Sequence, residues 1–106
     1  KEGREYLFIS VDIDALDPSF VPCTGTPDPG GLTPREGFAL VRRLCAESNV
    51  VGFELVELAP MLDPTYVSAL NANRLIRECM TGIAMRKKGI TEEHYLSPLT
   101  VDDGRK

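Results

Sequence analysis

The sequence predicts an α/β fold built on a parallel sheet. Twice along the chain a short run of β-branched and aromatic residues is followed by a segment with apolar side chains at helical spacing. Strands that alternate with helices pair in parallel through right-handed crossovers. Both runs are also nearly free of polar residues, as strands covered on both faces by helices are. The chain is therefore expected to supply a β-α-β-α segment of a larger parallel sheet.

Taken in order, Tyr6 to Ile13 (YLFISVDI) reads as a buried parallel strand. Residues 15 to 32 hold Pro18, Pro22, Gly25, Pro27, Pro29, Gly30 and Gly31, a composition that forbids a helix and suits a long ordered loop. Loops of that length without their own secondary structure are usually functional. Thr33-Pro34-Arg35-Glu36 is a capping box with proline in the first helical position, and Phe38, Val41, Leu44 and Cys45 follow at helical spacing to about Ser48. Val50 to Leu58 (VVGFELVEL) repeats the strand pattern. Asp63-Pro64 offers a second cap, and Ala72, Leu75, Ile76, Cys79, Met80, Ile83 and Ala84 mark one apolar stripe on a longer helix. Lys87, Lys88 and Gly89 close it, the cations suiting the negative end of the helix dipole and the glycine the position just past the end. A polar tail over 90–106 shows no periodicity.

Length and charge narrow the function classes. With 106 residues the chain forms at most one domain. A compact globule of its 11.7 kDa would expose roughly 5,900 Å² of the ~17,000 Å² of its unfolded chain, enough burial for a modest core. No apolar run approaches the ~20 residues of a membrane span, and no signal-peptide pattern is present. The net charge is −4 with no dense Lys/Arg cluster, so the electrostatic footprint of a nucleic-acid binder is missing. Three widely spaced cysteines, Cys23, Cys45 and Cys79, fit neither a disulfide framework nor a CxxC zinc site, and a reducing cytoplasmic compartment is expected. The chain opens on Lys1-Glu2-Gly3-Arg4, without Met, and runs at once into an apolar strand. Two buried parallel strands also need neighbours. A fragment of a larger sheet is the expectation.

The chemistry gathers at the end of the first strand. Alternation places Phe8, Ser10, Asp12 and Asp14 on one face, so two carboxylates stand together at the C-terminal edge, where open parallel sheets bind ligands. Adjacent anions at a buried strand end call for a cation, and hard divalent ions take carboxylate oxygens readily. A bare DxD is equally compatible with one Asp capping a turn and the other pairing with Lys or Arg. An EF-hand reading fails, because the fifth and sixth loop positions are Leu16 and Asp17 where an acceptor and a glycine are required. A haloacid-dehalogenase-type phosphatase, with Asp12 as nucleophile and Asp14 as general acid, is a weaker alternative, since Leu16 stands where that family usually carries Thr or Val.

Ser10-Val11-Asp12-Ile13-Asp14-Ala15-Leu16-Asp17-Pro18, then Pro22-Cys23-Thr24-Gly25-Thr26-Pro27 and Gly30-Gly31-Leu32, closely resemble the SxDxDxxDP…PxTGTP…GGL signature of the ureohydrolases, the arginase and agmatinase family of dinuclear manganese enzymes. Phe53-Glu54-Leu55-Val56-Glu57-Leu58-Ala59-Pro60 is similar to that family's second strand motif. The likeness runs from about Phe8 to Ala84. Cys23 departs from it, standing where many relatives have Gly or Ala. The resemblance implies an arginase-like three-layer α/β/α fold and two Mn²⁺ per subunit, with Ni²⁺ as the alternative. Asp12 is then the ligand bridging both metals and Asp14 a ligand of one. Glu57 is the carboxylate that receives the guanidinium, and Thr26 a hydroxyl lining the same pocket. Asp17, before Pro18, suits an Asx-type turn.

Blander roles are expected elsewhere. Glu54 reads as a buried structural acid paired with a base, on the face opposite Glu57. His94 reads as a solvated or subunit-contact residue of the tail, and Cys23, with no neighbouring His, as packing. The resemblance also implies further His and Asp ligands from a GGDHS-like and a DxHxD-like segment, neither of which occurs here. Residues 1–106 therefore read as the C-terminal part of a single ureohydrolase domain, incompetent alone. The implied reaction is attack of a metal-bridging hydroxide on a guanidinium carbon, releasing urea with an amine or ammonia. The Pro-Gly-Gly form of the loop looks agmatinase-like; 4-guanidinobutyrate, arginine and free guanidine are the alternative substrates, and a homotrimer or homohexamer is the implied assembly. A non-catalytic scaffold of the same family is the remaining alternative.

Overall fold

The computed structural model describes residues 5–90. The expected polar tail, with His94, lies outside the described residues apart from Ile90. The order is β1 (Leu7–Asp12), a 3-10 turn (Ile13–Ala15), α1 (Pro34–Glu47), β2 (Val50–Val56), a second 3-10 turn (Pro60–Leu62) and α2 (Val67–Lys87). β1 and β2 pair in parallel, with Ser10 opposite Glu54 and Asp12 opposite Val56.

Local chemistry explains where the helices begin. The Thr33 hydroxyl accepts from Glu36 N at 3.3 Å and donates to the Glu36 carboxylate at 3.0 Å, and Pro34 opens α1 as the capping pattern predicts. α2 starts at Val67, later than the cap at Asp63, because the Asp63 side chain reaches across a turn. One oxygen accepts from Thr65 N at 2.9 Å and the other from Ser68 N at 2.8 Å. These bonds, led by the one from the Ser68 hydroxyl, hold the buried Asp63 carboxyl well below the usual range. Gly89, at φ +74, ends the helix.

α1 and α2 pack on each other through Val41, Cys45 and Ala46 on one side and Ala72, Leu75 and Cys79 on the other. Their approach is close at Gly82, where a Cβ would lie 2.5 Å from Arg42 O and 2.6 Å from Cys45 Cβ. The seam differs from the predicted stripe. Ile76, Met80 and Ala84 are exposed, whereas Glu78 is 1% exposed within it. Arg42 Nε donates to one oxygen of Glu78 and Arg74 Nε to the other at 2.6 Å, so two guanidinium groups make this buried carboxylate tolerable. Arg74 also lies over the Phe38 ring, 5.1 Å from its centre.

The two helices cover the sheet face that carries Ile9, Val11, Phe53 and Leu55. On the opposite face Phe8, Ser10 and Glu54 are exposed. Coverage on both faces was expected of β1; among the described residues one face is covered, since both helices pack on the same side.

Candidate metal and substrate site

β1 ends at Asp12, and its carboxylate accepts from Asp14 N at 3.1 Å, capping the 3-10 turn. The two aspartates are therefore joined by a turn and not by strand alternation, which brings them together at the C-terminal edge all the same. Asp14 in turn accepts from the Thr26 hydroxyl at 2.7 Å, across twelve residues of chain. The result is a linked row, Asp12, Asp14, Thr26, beside an open cleft lined by Asp14, Ala15, Gly25, Thr26, Pro27 and Asp28.

The loop that delivers Thr26 is organised by Asp17. One of its oxygens accepts from Ser19 N at 2.9 Å, the expected Asx turn, and from the Ser19 hydroxyl. The other reaches the far end of the loop, accepting from Gly30 N at 2.8 Å and Gly31 N at 3.2 Å. Leu16 and Leu32 bridge the same two ends, and a Cβ on Gly31 would meet Ala15 O and Asp17 N at 2.8 Å each. Only glycine fits there. The hydrogen bonds, those of Ser19 foremost, hold the Asp17 carboxyl down at about 2. That dual role of Asp17 was legible only in its first half.

Glu57 follows β2 directly, one residue past Val56, the register partner of Asp12, and so stands at the same sheet edge. Its φ is 68°, a left-handed conformation that costs an L-residue other than glycine roughly 1–2 kcal/mol. Nothing in the sequence announces this strain, and strain held at a site edge is a pointer to function. Ala59 N donates to Cys23 O at 2.8 Å, tying the segment after Glu57 to the Thr26 loop. Cys23 itself is fully buried packing, as expected. Glu54 differs from expectation. It is exposed on the same face as Ser10, and accepts from the Ser10 hydroxyl at 2.8 Å in place of a base.

Electrostatically the row is an anion pair. Partial loss of hydration at the strand end, and after it the repulsion and hydrogen bonding of Asp14, push the Asp12 carboxyl upward, against the pull of the Asp14 N–H. Among the described residues no Lys or Arg pairs with either aspartate, and the Asp14 N–H and the Thr26 hydroxyl each reach one oxygen, of Asp12 and of Asp14 respectively. The two carboxylates fit a divalent cation. Among the described residues no third His, Cys, Asp or Glu joins them. No helix of the described residues is long and apolar enough to cross a membrane.

Comparison with known proteins bears on the same residues. The chain is 46% identical over 87 residues to an agmatinase of Escherichia coli O9:H4 (strain HS), covering 82% of this chain and 28% of that protein. It is 43% identical over 77 residues to an agmatinase of Bacillus subtilis (strain 168), covering 72% and 27%. Among solved structures, the proclavaminate amidino hydrolase of Streptomyces clavuligerus superposes with a TM-score of 0.74 at 38% identity, over 79% of this chain and 28% of that one. The formimidoylglutamase of Bacillus subtilis gives 0.72 at 34% identity, over 76% and 25%. The chain thus spans about a quarter of the length of the relatives it matches. With the β-α-β-α segment superposing on these two structures at 38% and 34% identity, the phosphatase alternative falls. The arginase family model matches residues 1–82, and the chain belongs to the arginase family.

Proposed function

We propose that this chain is the C-terminal part of an agmatinase-like hydrolase that releases urea from a guanidino compound. The observation that carries the reading is the row Asp12, Asp14, Thr26 at the sheet edge where Glu57 also stands. Asp12 and Asp14 would hold divalent cations, Mn²⁺ before Ni²⁺, together with ligands from the rest of the enzyme. Such a pair of ions lowers the pKa of a shared water into the neutral range. Thr26 holds the Asp14 carboxylate through its hydroxyl, which donates to one of the two oxygens. Glu57 accepts N–H bonds from the planar guanidinium, orienting its carbon towards the aspartates. Agmatine is the preferred substrate, with 4-guanidinobutyrate, arginine and guanidine as alternatives, in a homotrimer or homohexamer. Three free buried cysteines accord with a reducing, cytoplasmic setting.

Urea release by the whole Mn²⁺-loaded enzyme from each of the four compounds tests the reading. Hydrolysis of at least one, lost in Asp12→Ala, is expected. A protein that binds Mn²⁺ and hydrolyses none of them would be the non-catalytic scaffold instead.

A further inference from the structure

The uncovered face of the sheet is graded along β1. Phe8 lies over Gly52, the Ser10–Glu54 pair follows at 2.8 Å, and Asp12 ends the row at the candidate metal edge. The middle step has an unusual chemical character. The Ser10 proton is committed to Glu54, so the hydroxyl has only lone pairs left to offer, and the carboxylate offers nothing else. The pair is an acceptor-only platform in mid-sheet, two residues before Asp12. A layer that covers this face without giving it donors would strand both groups, at a cost that native proteins avoid.

We infer that Ser10 and Glu54 are positioning residues of the metal site: the pair accepts the N–H of an imidazole, supplied by the remainder of the enzyme, whose other nitrogen is a metal ligand beside Asp12. This rests on the proposed function above. An imidazole matches the platform because it carries a donor on one edge and a ligand atom on the other, and the partner that receives the donor fixes the tautomer and ring orientation. Loss of such a partner typically weakens metal binding 10- to 100-fold.

The test uses the whole enzyme, its Mn²⁺ affinity measured by chelator competition and its Tm measured with and without metal. Glu54→Gln, which keeps the size and the acceptor oxygen but removes the charge, is expected to weaken Mn²⁺ by about 10- to 100-fold. Its metal-free Tm should stay near wild type, and Glu54→Asp should recover part of the affinity. Ser10→Ala should weaken Mn²⁺ in the same direction and to a smaller degree. If Glu54→Gln binds Mn²⁺ like wild type, or lowers the Tm equally with and without metal, the pair is structural and the inference is overturned while the family reading stands. If the wild-type enzyme binds no divalent cation, the proposed function itself fails, and this inference with it.

Discussion

Replacing Glu57 by glutamine and by glycine separates the substrate contact proposed for this residue from what its backbone costs the fold. The exposed carboxylate is held at φ 68° directly after β2. Glutamine keeps that backbone strain and one acceptor oxygen but loses the charge-assisted bonds to a guanidinium. Such bonds contribute about 1.5–3 kcal/mol, so kcat/KM should fall roughly 10- to 150-fold, at ~1.4 kcal/mol per decade. Glycine removes the carboxylate altogether and also the left-handed penalty of about 1–2 kcal/mol, part of which returns as glycine's greater freedom when unfolded. A net gain on the order of 0.5–1 kcal/mol corresponds to a Tm higher by a few degrees at most. The assay is steady-state urea release beside a calorimetric melt, with Mn²⁺ content measured on the same samples. Glu57→Gly should be the less active and the more stable of the two, and both should keep their metal. Near-normal turnover in either variant, loss of metal, or a lower Tm in the glycine variant would refute the placement of Glu57 as a strained substrate ligand outside the metal set.

Thr26→Val removes the 2.7 Å bond to Asp14 and should lower kcat/KM about tenfold, the low end for a bond to a charged group that solvent reaches; this is read by the same urea assay. Asp17 has its carboxyl lowered to about 2 in the folded state, so its stabilising bonds are complete above pH ~4, where the unfolded side chain is ionised too, and are lost as pH falls towards 2. Asp17→Asn should therefore lower the Tm at pH 7 and flatten its decline between pH 4 and 2, as followed by circular dichroism. Glu78→Ala leaves Arg42 and Arg74 without their shared partner; because both side chains keep some solvent contact, the loss should lie nearer 2–3 kcal/mol than the 3–5 typical of a fully buried pair, measured by urea denaturation of the whole enzyme. The 106 residues expressed alone, with Phe8, Leu40 and Leu70 exposed, should self-associate; a monomeric, cooperative urea transition would contradict this.

Which of these features were legible in the sequence follows from the range of the interactions. Capping at Thr33, the end of α2 at Gly89 and the two strands are local and were readable. Asp12 and Asp14 were recognised as neighbours, although the strand stops at Asp12 and a 3-10 turn carries Asp14. The rest depends on pairings that sequence spacing does not encode. Glu54 meets Ser10 only through the register of β1 on β2. Glu78 looks like a solvent-facing residue until Arg42 arrives from the other helix, and it replaces Ile76 and Met80 in the seam because neutralisation by two guanidinium groups offsets its desolvation. Asp17 announces its Asx turn but not its grip on Gly30 and Gly31, thirteen and fourteen residues away. The left-handed backbone of Glu57 carries no glycine to betray it.

The central claim is that Asp12 and Asp14 are metal ligands of unequal importance at one edge of the sheet. Mn²⁺ content per subunit, measured by elemental analysis after equilibrium dialysis of the whole enzyme, tests it most directly. Two ions in wild type, one retained in Asp14→Ala and at most a trace in Asp12→Ala is the expected result. Full occupancy in both variants, with the fold intact by circular dichroism, would contradict it.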